Sequence, residues 1–171
     1  MRWINFAILI FSLLVVQSGL GRLMGLGPQH IIPDLLLLVA IVLAFRGGNH
    51  RSLEACWILG LCRDLTSEAV LGSNALAFGL MGLLIIYLRE WVFGEHPVAV
   101  MVVAFVAALA VSQGVYFINL FRGAMVFEDY AMQSLEMMFS ALFTAALAPY
   151  GQWGLSKLAR PLGIDRERAF G

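Results

Sequence analysis

From Val98 to Phe121 the chain runs for 24 residues without one charged side chain. A helix of that length rises about 36 Å, and crossing the hydrocarbon core of a bilayer needs only about 30 Å. Five further apolar stretches accompany it, at 3–20, 31–45, 52–65, 71–93 and 130–158. The links between them are short and marked mostly by Gly and Pro, the residues that make turns. None is long enough to hold a soluble domain. Composition agrees: 61% of the 171 residues are hydrophobic and 13% charged, against about 45–50% and about 25% in soluble domains. Too little polar surface remains to solvate a disordered chain. The expectation is an all-α integral membrane protein, one six-transmembrane-helix bundle over 1–171 with a short cytoplasmic tail at 159–171.

The stretch at 52–65 is the weakest span. Fourteen residues reach only about 21 Å, so it starts earlier, tilts, or ends in an irregular segment buried among neighbours. A five-span or re-entrant arrangement stays open on this ground. At the N-terminus, Arg2 before an apolar run has the look of a signal peptide. The run is long for a signal core, and Val16-Gln17-Ser18 is a poor cleavage site, so the segment reads as a retained span.

With six spans, one side carries eight basic residues: Arg2, Arg46, Arg51, Arg89, Lys157, Arg160, Arg166 and Arg168. The other carries three, Arg22, Arg63 and Arg122. The excess places both termini in the cytoplasm. Trp3, Trp91 and Trp153 fall near that side and Tyr130 near the opposite one, where amphipathic rings suit the headgroup layer.

Helices in lipid associate through close backbone approach. Ala75, Gly79 and Gly82 form one row of small residues; Ala104, Ala108 and Ser112 a second; Ser140, Thr144 and Ala148, with Ala141 and Ala145 beside them, a third. These rows are expected to pack inward. The run Leu35–Leu38 has no such row and is expected to face lipid more than the others do.

Charges inside apolar stretches are costly and mark function by default, yet each has a plainer reading. Pro33-Asp34 opens the second stretch, where Pro fits a first turn and Asp suits the positive helix end; a buried contact to another helix or a partner is the alternative. Arg63 can snorkel. Asp64 either pairs with Arg63, caps the segment that follows, or binds something. Glu136 and Gln133, with Gln113 and Asn119, could form a polar strip, and Gln113 and Glu136 are the buried polar candidates. Glu54 after Ser52 reads as capping.

Catalysis, cofactors and metals find no support. His30, His50 and His96 lie in separate links, and no nucleophile, phosphate-loop or metal motif occurs. Cys56 and Cys62 do not share a helix face and read as apolar fillers. Eleven Lys and Arg balance eleven Asp and Glu, which excludes the basic surplus of a nucleic-acid binder.

The order of features is similar to a known family. Pro33-Asp34-Leu35-Leu36-Leu37 begins the second stretch and Phe45-Arg46-Gly47-Gly48 ends it; Gly60-Leu61-Cys62-Arg63-Asp64-Leu65 follows, then Leu71-Gly72-Ser73-Asn74-Ala75-Leu76. This resembles the rod shape-determining protein MreD family of bacteria, with the motifs concentrated in residues 31–90. The resemblance implies a non-enzymatic inner-membrane scaffold of the cell-elongation machinery. It would dock a bitopic MreC-like protein and act through it with the MreB filament and the RodA and penicillin-binding-protein synthase pair in peptidoglycan synthesis and rod shape. It further implies a fold like the substrate-binding subunits of energy-coupling-factor vitamin transporters. The residues carried over are Pro33, Asp34, Gly60, Asp64, Gly72 and Leu76. The sequence departs from the family at Glu68-Ala69-Val70, where a proline is frequent.

A physical account of these positions follows. Gly72 permits a tight turn, and Asp64 can accept hydrogen bonds from the amides of that turn as a cap for the next helix. Eight methionines, Met132, Met137 and Met138 among them, suit an adaptable partner face. A homodimer within a larger complex is compatible with the same features, as is contact with membrane lipid. The alternative function is a substrate-binding subunit of a vitamin transporter. It is disfavoured because Ala7 is followed by Phe11, not Ala, where such subunits carry a small-residue row.

Overall fold

The computed structural model describes residues 3–24, 33–46, 49–67, 71–88, 97–123 and 130–162. Its six helices are α1 (Trp3–Met24), α2 (Leu35–Arg46), α3 (Asn49–Thr66), α4 (Ser73–Leu88), α5 (Pro97–Phe121) and α6 (Tyr130–Leu162). Several sequence expectations concern residues outside the described ones: the histidines His30 and His96, Trp91, Glu68, the outer ends of the second and fourth stretches, and the tail beyond 162.

Among the described residues, two helices are long and apolar enough to cross a membrane, Val98–Phe121 in α5 and Tyr130–Gly154 in α6. Shorter apolar helices occupy Trp3–Gly19, Leu35–Phe45 and Ser73–Leu88. α3 has 18 residues, starting three residues before the apolar reading. The polar Asn49-His50-Arg51 concealed that start. Ser52 therefore lies inside the helix and does not cap it; its hydroxyl donates to the Leu43 carbonyl of α2 (3.0 Å).

α2 is the axis of the bundle and packs against all five other helices. Leu36 through Ala44 are buried without interruption. This corrects the expectation that the leucine run faces lipid. Small residues mark only one way of packing; a helix apolar on every side is also the helix best placed at a centre. The smallness comes from the partners. Gly151 of α6 faces Leu38, and a Cβ there would collide with that side chain.

The three small-residue rows turn inward. Ala75, Gly79, Gly82, Ala104, Ala108, Ala141, Thr144, Ala145 and Ala148 are all buried, with Ser112 and Ser140 half-buried at the row ends. α3 and α4 approach most closely. A Cβ on Gly60 would stand 2.6 Å from the Ala75 Cα and 2.7 Å from the Asn74 carbonyl oxygen. One and two turns away, Gly79 receives the Trp57 indole and Gly82 the Cys56 thiol. Outward faces are apolar: Ile4, Ile8, Phe11 and Val15 on α1, Leu76, Leu80, Leu83 and Tyr87 on α4, Val98, Val102 and Val106 on α5. A surface of this kind suits hydrocarbon and not water.

Candidate functional site

Three charged residues, Asp34, Arg63 and Asp64, meet where α2 and α4 begin and α3 ends. α4 follows a turn at Gly72, whose φ of +95° lies in the left-handed region that glycine adopts without cost. A glycine has no side chain with which to cap the helix it precedes. Asp64 supplies the cap from α3. Its Oδ2 accepts from the Gly72 and Ala75 amides, both at 3.0 Å. Its Oδ1 accepts from the Asn74 amide at 2.9 Å and from Asn74 Nδ2 at 3.0 Å. Asn74 Nδ2 also reaches the Ser67 hydroxyl at 3.3 Å. Asp64 is only 3% exposed, so these charge-assisted bonds replace its hydration. A carboxylate at the C-terminal end of its own helix is disfavoured by that helix's dipole, while the positive end of α4 favours it. The position makes sense for the neighbouring helix, not for its own.

Arg63 points elsewhere. Its Nε lies 3.4 Å from Asp34 Oδ2, so its carboxylate partner is Asp34, and the pairing of Arg63 with Asp64 allowed by the sequence does not form. Asp34 is the residue before α2 and caps it, with Oδ1 accepting from the Leu37 amide at 3.1 Å and its carbonyl from Leu38 at 3.0 Å. Pro33 is buried just ahead of the helix, outside its first turn. The Asp34 amide donates to the Thr144 hydroxyl of α6 at 3.1 Å. One dipeptide, Arg63-Asp64, thus holds the starts of two helices. Gly60 shares a face with Asp64 at four-residue spacing, and its lack of a side chain brings α4 within reach of the carboxylate.

The other named positions fall around this junction or away from it. Leu76 is 40% exposed on α4 and makes its backbone bond to the Gly72 carbonyl. The Ser73 hydroxyl donates to Asn119 Oδ1 at 3.2 Å, a buried link between α4 and α5 that sequence reasoning missed. The two residues are 46 positions apart, and neither carries a charge to signal it. Gln113 accepts from the Tyr130 hydroxyl at 3.2 Å, and the Tyr116 and Tyr130 rings lie 5.3 Å apart.

Gln113 and Glu136 are half-buried and not fully buried as expected. The expected polar strip also divides. Gln113 and Asn119 bond to different helices, and Glu136 joins neither, because its segment of α6 turns outward beside exposed Met132 and Leu135.

A carboxylate has about four acceptor sites, and Asp64 fills four with intramolecular donors. It has no lone pair left for a substrate or a metal. Among the described residues, no group of three or more His, Cys, Asp or Glu could hold a metal ion.

A family model described as rod shape-determining protein MreD matches residues 1–151. The chain belongs to the MreD family. The match spans α1 to α5 and α6 as far as Gly151, so it includes the whole junction. Membership makes the chain a membrane protein with a role in rod shape determination, in a family of structural proteins. No curated protein and no solved structure matches the chain.

Proposed function

We propose that the chain is a non-catalytic, multi-pass scaffold of the cell-elongation machinery in the bacterial inner membrane. In this reading all six helices span or re-enter the bilayer and both termini are cytoplasmic. The fold is of the kind seen in energy-coupling-factor substrate-binding subunits. The protein docks a bitopic MreC-like partner and through it helps organise MreB, RodA and its penicillin-binding partner for peptidoglycan synthesis.

The observation that carries this reading is the use made of the membrane-depth charges. Asp34, Arg63 and Asp64 hold helix starts. Groups that would serve chemistry or ligand capture are engaged in fixing the shape of the bundle, and a fixed shape is what a docking platform needs. The small-residue rows pack inside the bundle, so the partner must use another face. Met132, Leu135 and Met138 of α6 are exposed at 65%, 44% and 44%, and flexible thioethers suit a repacking contact.

Affinity purification of a tagged copy from gently solubilised native membranes tests the reading. Stoichiometric recovery of a bitopic, MreC-like protein is the expected result, and changing Met132 and Leu135 to Ser should deplete it. Recovery of ATPase subunits with a coupling membrane protein would replace the scaffold by a transporter component.

A further inference from the structure

The last turns of α6 carry a stripe that the scaffold reading does not use. Phe143, Ala146, Tyr150, Trp153 and Lys157 follow one another at intervals of three and four residues, so they share one helix face. All five are exposed; Tyr150 and Trp153 reach 73% and 63%. The Lys157 ammonium stands 3.8 Å from the centroid of the Trp153 ring. Among the described residues no carboxylate pairs with that ammonium.

The stripe has the polarity profile of one lipid molecule. At one end exposed Phe143 and Tyr150 flank the small Ala146, an apolar notch between two rings. Next come Tyr150 and Trp153, amphipathic rings of the kind that settle at the glycerol and headgroup level. A cation closes the stripe, held over an aromatic face. Phe143 to Lys157 spans about 21 Å of helix, about half of the 40–45 Å thickness of a bilayer with its headgroups, which is one leaflet.

The surrounding charge has the matching sign. α6 runs parallel to α2, since Asp34 meets Thr144 and Leu38 meets Gly151. α3 runs antiparallel to α2, since Ser52 meets Leu43 and Arg63 meets Asp34. The start of α3, with exposed His50 and Arg51, therefore lies at the same end of the bundle as Lys157. Among the described residues, Arg46, Arg51, Lys157 and Arg160 lie toward this end, with Glu54 the acidic residue beside them.

We infer that the Phe143–Lys157 face of α6 is a binding site for an anionic phospholipid, with the phosphate on Lys157 and an acyl chain over Ala146. The site does not depend on the identity of the docking partner.

Native mass spectrometry of the purified full-length protein in detergent, titrated with phosphatidylglycerol or phosphatidylcholine of equal chain length, tests it. The expected result is retention of phosphatidylglycerol about fivefold above phosphatidylcholine, the factor one basic side chain contributes at an anionic surface. Lys157→Glu should abolish that preference and Lys157→Arg keep it, with unchanged melting temperature. Ala146→Trp fills the notch and should weaken both lipids while leaving the charge in place. Equal retention of phosphatidylglycerol by wild type and Lys157→Glu overturns the site. So does competition by soluble glycerol phosphate as strong as by the lipid, which would mark a bare phosphate site. Loss of a co-purifying protein, and not of lipid, on Lys157→Glu would give the face to a partner's acidic segment instead.

Discussion

The α3–α4 hairpin and the α5–α6 hairpin solve the same packing problem by different means. In the first, Gly60, Gly79 and Gly82 remove side chains where the neighbour presses closest, and Asp64 accepts four hydrogen bonds from Gly72, Asn74 and Ala75 at the next helix start. In the second, alanines line the contact, and a hydrogen bond between neutral groups joins Tyr130 to Gln113. The α5–α6 pair also leaves more surface outward. The comparison separates two roles for polar residues in apolar helices. A carboxylate opposite an uncapped helix start becomes part of the framework; one opposite a smooth alanine face remains outside it.

The largest effect is expected at Asp64. In Asp64→Asn one oxygen becomes an NH2 group, and that donor must face either the Asn74 donors or the Gly72 and Ala75 amides. Hydrogen bonds to charged groups contribute about 1.5–3 kcal/mol each, and a buried donor left without an acceptor adds a penalty of about 1–3 kcal/mol. A net loss of about 3 kcal/mol or more follows. It would appear as a marked fall in melting temperature in detergent and in the amount of protein recovered from membranes. A variant that melts and accumulates like wild type would remove Asp64 from the framework and dissolve the comparison.

A smaller effect is expected at Gly60. The atoms a Cβ would meet belong to the backbone of Ala75 and Asn74, so no side chain can swing aside. Gly60→Ala must push α3 from α4, at the cost of about 1–3 kcal/mol typical of overpacking. Because Gly60 sets the approach that Asp64 exploits, the two changes should not add: the Gly60→Ala, Asp64→Asn double variant should melt above the sum of its single losses. Additive losses would show that close approach and capping are independent.

These expectations trace which parts of the fold a linear sequence can carry. The six helices follow the six apolar stretches in order, because hydropathy is a local property. The Asp64–Gly72 cap was legible for the same reason: the partners are eight residues apart, and a glycine before an apolar run announces a helix start in need of a cap. The Arg63–Asp34 pair spans two helices, and the nearer carboxylate, Asp64, was the obvious partner until geometry turned it toward α4. The central place of α2 was also hidden. Its sequence is equally apolar on all sides, and only the small residues of the surrounding helices decide what covers it. Leu76, carried over from the family pattern, lies on the outer face of α4, and no hydrogen bond among the described residues beyond that of its own helix explains it.

Glu136 supplies the smallest expected effect and the sharpest control. By sequence it looks like Asp64, an acidic residue within an apolar run. In the structure it is half-buried, and no hydrogen bond or ion pair ties it to the described residues. Glu136→Gln removes the charge and keeps the shape. The expected change in stability is within about 0.5 kcal/mol, the range of surface substitutions away from structural features, with melting temperature and membrane level unchanged. A fall as large as that of Asp64→Asn would mean that Glu136 is bonded within the folded protein and that the α5–α6 hairpin also rests on a buried carboxylate. An unchanged melting temperature with loss of the co-purifying partner would instead place Glu136 at the rim of the Met132–Met138 face. Fold and docking would then reside in different hairpins of one bundle.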